Sequence, residues 1–141
     1  MTRIDFHSNV PDKISYACRL VRKALLARNQ LVLLTEDAAQ LAQLDQALWT
    51  FSDTDFLPHV LAGDVLAAQT PIVLCTDDSV ELPHVDILVN LSRRMPASFS
   101  RFQRVFEIIS SDPDDAAAGR QRYSAYRQQE FQPIHFIAGK T

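Results

Sequence analysis

At 141 residues, 47% hydrophobic and 22% charged, the chain is sized for one domain over residues 1–141 with an ordinary core. No apolar run approaches the roughly 20 residues that span a bilayer, no low-complexity tract or solenoid repeat is present, and Met1-Thr2-Arg3-Ile4-Asp5 is no secretory leader, so a cytoplasmic location is expected. The net charge of −3 hides an asymmetry: residues 1–92 hold 6 basic and 12 acidic side chains and residues 93–141 hold 8 and 5, a footprint too weak for direct duplex binding and better suited to a protein partner with an acidic segment.

Arg3-Ile4-Asp5-Phe6-His7 alternates like a first strand. Pro11 then opens a predicted helix with Ile14, Ala17, Cys18, Val21 and Leu25 at helical spacing. Leu31-Val32-Leu33-Leu34 is a compact run typical of a buried parallel strand. Thr35-Glu36-Asp37 signals a second helix on which Leu41, Leu44 and Leu48 share a face. Further strands are expected at residues 71–75, 85–90, 104–109 and 133–137, with a helix opened by Ser111-Asp112-Pro113-Asp114-Asp115 before the last. The alternation predicts an α/β fold: a mostly parallel central sheet with helices on both faces, Rossmann-like but without a dinucleotide site. Cys18 and Cys75 occupy apolar positions and read as reduced core cysteines.

The signatures of catalysis are weak. The turn after the first strand, Ser8-Asn9-Val10-Pro11-Asp12, has no glycine to admit a pyrophosphate, and Gly139-Lys140-Thr141 has no helix behind it to form a phosphate loop. His7, His59, His84 and His135 are scattered and read as structural. The pairs Asp53/Asp55, Asp77/Asp78 and Asp114/Asp115 sit in loops or a cap, the ordinary use of aspartate, and no nucleophile elbow is present. No catalytic residue, metal ligand or cofactor is assigned.

Two constellations stand out. On the late helix Asp112 is placed to cap, Pro113 to occupy the first helical position, and Asp114 and Asp115 to complement the dipole. Arg120, Tyr123 and Arg127 then share a stripe with the small Ala116 and Gly119, two guanidinium forks around a ring, as an anionic and hydrophobic ligand would require. From the helix alone a solvated face with Tyr123 half in the core is the default. The second is Leu48-Trp49, Phe51 and Phe56-Leu57-Pro58-His59, which reads either as a satellite core or as an aromatic anchor for a partner.

Taken with Asp86-Ile87-Leu88-Val89-Asn90-Leu91, Phe99-Ser100-Arg101-Phe102-Gln103-Arg104-Val105-Phe106-Glu107-Ile108 and Arg120-Gln121-Arg122-Tyr123-Ser124-Ala125-Tyr126-Arg127, these pieces resemble, in order, the chi subunit of bacterial DNA polymerase III. The resemblance implies a non-catalytic accessory protein that pairs with the psi subunit, joins the clamp-loader complex through it, and binds the acidic C-terminal tail of single-stranded DNA-binding protein. It carries the tail site onto Arg120, Tyr123 and Arg127, with Arg122 as a further candidate. It carries the surface for psi, or for a helicase that competes with it, onto Trp49, Phe56 and Pro58. Members of the family often have a basic residue where this chain has Ser124, and a glycine shortly after Arg127 where it has Gln128-Gln129-Glu130, which should weaken attraction for an acidic tail. The competing readings are a small nucleotide- or phosphate-handling enzyme with an arginine-lined anion site including Arg93 and Arg94, and a direct binder of single-stranded DNA, which would need a continuous basic groove with stacking platforms.

Overall fold

The computed structural model describes residues 2–51 and 56–138. Among them the strands are β1 (Arg3–Val10), β2 (Leu31–Leu34), β3 (His59–Leu61), β4 (Ile72–Cys75), β5 (Ile87–Asn90), β6 (Arg104–Ser110) and β7 (Ile134–Ile137), with helices α1 (Lys13–Leu26), α2 (Ala38–Thr50) and α3 (Pro113–Gln128). All strands join one sheet in the order β3-β4-β2-β5-β6-β1-β7, and every pairing is parallel. The expected α/β architecture is therefore present. Strand β3 was not expected; its three residues form no apolar run and align because β4 offers a parallel edge, with His59 opposite Ile72.

Strand alternation divides the core. Leu31, Leu33, Ile72, Leu74, Ile87, Val89, Phe106 and Ile108 face α1 and α2, whereas Val32, Leu34, Leu88, Val105 and Ile109 face α3. Both faces are thus buried, which explains why the central strands read as unbroken apolar runs.

Each helix begins at an aspartate. Asp12 accepts from the Ile14 and Ser15 amides, Asp37 from Gln40, and Asp112 from Asp115, with Pro113 at the first turn. Helix α1 accordingly starts after Pro11, which lies before the cap. Strand β1 continues past His7 to Val10 through a register shift, with Asn9 at φ 57°, a conformation asparagine tolerates. Cys18 and Cys75 are buried and free, and burial pushes their thiols up to about 11 and about 12. No helix among the described residues is long and apolar enough to cross a membrane.

Candidate functional site around helix α3 and the α2 terminus

Helix α3 lies close against the sheet at Gly119. A β-carbon there would fall 2.6 Å from Ile109 Cδ1 and 2.9 Å from Cγ1, so at this distance from β6 any larger residue would have to displace the Ile109 side chain or the helix. This closeness brings Tyr123 edge-on to Phe6 of β1, with ring centroids 5.1 Å apart. Tyr123 stands half-buried as a partition between two clefts. One, of about 620 Å³, has an apolar floor of Phe6, Ile109, Ala116 and Gly119, with Arg120 on the helical wall and Ser8 and His135 opposite. His135 Nε2 and Ser8 Oγ share a 2.6 Å hydrogen bond that ties β7 to β1. The other cleft, of about 500 Å³, is bounded by Arg127, Glu130, Phe131 and Pro133. Arg120 and Arg127 are exposed, and among the described residues neither has an ion-pair partner.

Arg122 shares the helix but not that surface. Only 3% exposed, it points into the sheet, where Nε donates to Glu107 Oε1 at 2.9 Å and Nη1 to the Arg93 carbonyl at 3.0 Å. Asn90 Nδ2 and the Tyr126 hydroxyl donate to the same carboxylate at 2.9 and 2.7 Å. Burial raises the Glu107 pKa, while Arg122, Tyr126 and Asn90 oppose the rise by donating to the ionised form. Two residues on from Arg120 is about 200° around the helix, so the fork of Arg122 serves the interior.

Asp115 was expected only to complement the helix dipole. It is instead buried, accepting from the Ser110 amide at 2.7 Å and pairing with Lys13 Nζ at 2.9 Å. Burial works to raise its pKa, but the Ser110 amide and Lys13 outweigh that and leave it below the ordinary value. Lys13 is itself pulled down by burial, with Asp115 opposing.

At the other side of the molecule Trp49, near the end of α2, is 51% exposed and Phe56 is 69% exposed. Their ring centroids lie 5.7 Å apart, and Trp49 packs on His59 at 4.3 Å. His59 is fixed beneath, with Nε2 3.0 Å from Asp45 Oδ1 and Nδ1 2.7 Å from the Leu57 carbonyl oxygen. Pro58 is half-buried between Phe56 and β3. Trp49 and Phe56, with Pro58 beside them, thus form an outward ledge whose two exposed aromatic rings rest on the braced, buried His59. The pair Asp53/Asp55 and the Gly139-Lys140-Thr141 motif lie outside the described residues.

Arg93 and Arg94 are engaged. Arg93 pairs with Asp112 at 3.0 Å and Asp115 at 3.5 Å, and Arg94 donates to the carbonyls of Glu36, Thr35 and Thr76. His7 and His84 are buried, His7 against the Tyr16 hydroxyl at 2.6 Å and His84 against the Thr70 carbonyl at 2.6 Å. Among the described residues no group of three or more His, Cys, Asp or Glu side chains is arranged to hold a metal ion.

The chain is 33% identical to the DNA polymerase III subunit chi of Pseudomonas aeruginosa over 135 residues, 93% of each chain. It is 26% identical to that of Haemophilus influenzae over 113 residues, 80% of this chain and 78% of the relative. The corresponding Escherichia coli protein is 25% identical over 114 residues, 81% and 78% of the two chains. The family model described as DNA polymerase III chi subunit, HolC, matches residues 1–133, a stretch that takes in the aromatic ledge, strands β1 to β6 and the whole of α3. The chain therefore belongs to the DNA polymerase III chi subunit family, a family of replication accessory subunits.

Proposed function

We propose that the chain is a non-catalytic adaptor of the DNA polymerase III holoenzyme in the cytoplasm. One face binds the acidic C-terminal tail of single-stranded DNA-binding protein. Another binds the psi subunit, or a helicase that competes with psi, and through psi the chain joins the clamp loader.

The observation that carries the tail reading is the position of Tyr123 between an apolar cleft with Arg120 on its wall and a more polar cleft with Arg127. An acidic tail ending in an aromatic residue would seat its ring over Phe6 and Gly119. Its terminal carboxylate would meet the Arg120 guanidinium, and an upstream aspartate would reach Arg127. Glu130 shares the Arg127 cleft and repels such an aspartate, so the terminal contact dominates. The buried area is small and the interaction fast and salt-sensitive, yet a coated strand presents many tails and raises their effective concentration. The ledge of Trp49, Phe56 and Pro58 supports the psi reading, because rigid exposed aromatics are what interface hot spots are made of. The phosphate-handling alternative loses two of its cations, since Arg93 and Arg94 are already committed to carboxylates and backbone carbonyls.

The test is a fluorescence-anisotropy titration of the acidic tail peptide against wild type and Arg120→Ala, with a second peptide lacking the last residue. Loss of the charge-assisted pair should cost about 2 kcal/mol or more. Binding that survives both changes would refute the pocket, and absence of binding at low salt by folded protein would refute the tail-binding role.

A further inference from the structure

Positive charge in the first 92 residues is gathered on α1 and the turn that follows it. Five of the six basic residues there, Lys13, Arg19, Arg22, Lys23 and Arg28, fall within residues 13–28, a stretch with no acidic residue. Lys13 is taken up by Leu91 and Asp115, whereas Arg19, Lys23 and Arg28 lie at exposed positions. Tyr16, Arg19, Leu20, Lys23 and Leu26 recur at helical spacing and form one stripe along α1, roughly 15 Å long at 1.5 Å per residue. With Phe51, just past α2, these residues line a cleft of about 410 Å³. Leu26 is 72% exposed at its end.

We infer that this groove docks an acidic amphipathic helix of a partner protein, a surface separate from the α3 clefts and from the aromatic ledge. Leu20, Leu26 and Phe51 supply an apolar floor, Leu20 and Leu26 standing about 9 Å apart along α1, close to the span of apolar side chains spaced i, i+3, i+4, i+7. The Arg19 and Lys23 side chains on the rim select carboxylates on the flanking positions of that helix. The clustering is local, since the same 92 residues carry a net −6 overall. A nucleic acid fits the groove less well. The Tyr16 hydroxyl is held by His7 Nδ1 at 2.6 Å and the Arg19 guanidinium lies over its ring at 5.5 Å. Phe51 packs into the core beneath α1 and α2, so no free aromatic face is offered to a base.

The test is a ¹⁵N chemical-shift titration at low salt with a synthetic amphipathic peptide of leucine and glutamate, leucines at i, i+3, i+4 and i+7. Saturable shifts should be confined to amides of Tyr16 through Leu26 and Phe51. The exposed-site variants Lys23→Glu and Leu26→Ser should each weaken binding by about tenfold or more, with unchanged circular dichroism. Absence of saturation, or shifts centred on Tyr123 or Trp49, overturns the inference. Oligothymidine moving the α1 amides while the peptide does not would make the surface a nucleic-acid site, and shifts that vanish on diluting the protein alone would make it a self-association face; either outcome also overturns it.

Discussion

Arg120 and Arg122 stand two residues apart on one helix, and their replacement should have opposite consequences. In Arg122→Ala the lost partner is Glu107, whose side chain is fully buried and which, among the described residues, keeps Asn90 and Tyr126 as side-chain donors. Removing one member of a buried pair at 2.9 Å strands the other charge, at a cost of about 3–5 kcal/mol. At roughly 4 °C per kcal/mol for a domain of this size, the melting temperature should fall by about 12–20 °C. The measurement is thermal and urea unfolding followed by circular dichroism, with tail-peptide anisotropy on the same samples at a temperature where the variant is folded. Arg122→Ala should retain tail affinity within about twofold, whereas Arg120→Ala should melt like wild type and lose the tail. The double variant Glu107→Gln with Arg122→Met should be more stable than Arg122→Ala, since no charge is left unpaired. A cost below about 1 kcal/mol for Arg122→Ala, or a loss of tail affinity matching that of Arg120→Ala, would refute this division of labour.

Phe56→Ala should weaken psi without altering tail binding, and psi should shift the emission of Trp49, the one tryptophan of the chain, to the blue; loss of both partners together would make Phe56 a folding residue. Burial lowers the His7 pKa, outweighing the pull of Asp5, so the unfolded chain takes up the proton first. The stability this residue contributes is complete above about pH 6.5 and is lost as pH falls through its folded value, and a melting curve between pH 8 and 5 should decline less in His7→Gln. Cys18 and Cys75, held at about 11 and about 12 by burial, should resist alkylation at pH 8 until urea unfolds the chain; modification of the folded protein at the rate of a free thiol would contradict the burial.

Strand β2, strand β6 and the start of α3 were legible because each carries a local signal: a compact apolar run, or an aspartate and proline ahead of a helix. Strand β3 was not, because His59-Val60-Leu61 has no pattern of its own and exists only as a partner for β4. The strand order was equally hidden, since hydrophobic periodicity says which strands are buried and nothing about which are neighbours. Within the candidate site, Arg120, Arg122 and Arg127 look alike in sequence, and what separates them is a carboxylate on another element. The signal was present: Glu107 interrupts Val105-Phe106 and Ile108-Ile109, and a carboxylate in a doubly buried strand requires a cation and donors around it. Asp115 has no such flag, because an acid in the first turn is expected at the surface and only the position of Lys13 makes it an interior group. The exposure of Trp49 depends on what the chain lays over the end of α2, which no local pattern encodes.

Helix α3 thus serves the core and the surface at once, and Gly119 is where the two duties meet. Gly119, Arg122 and Tyr126 face the sheet, while Arg120, Tyr123 and Arg127 lie on or beside the clefts. In an ordinary helix Gly→Ala gains up to about 1 kcal/mol from propensity. Here the new methyl group would meet Ile109 at 2.6, 2.9 and 3.2 Å through three of its side-chain carbons, and a β-branched residue has few rotamers with which to retreat. Either α3 lifts from the sheet or Ile109 moves, and Ile109 is also the floor of the cleft beside Arg120. Gly119→Ala should therefore lose the propensity gain and weaken tail binding by about threefold or more, with wild-type helicity by circular dichroism. A variant stabilised by the full propensity difference and unchanged in tail affinity would show that Ile109 yields freely and that the close approach does not shape the cleft.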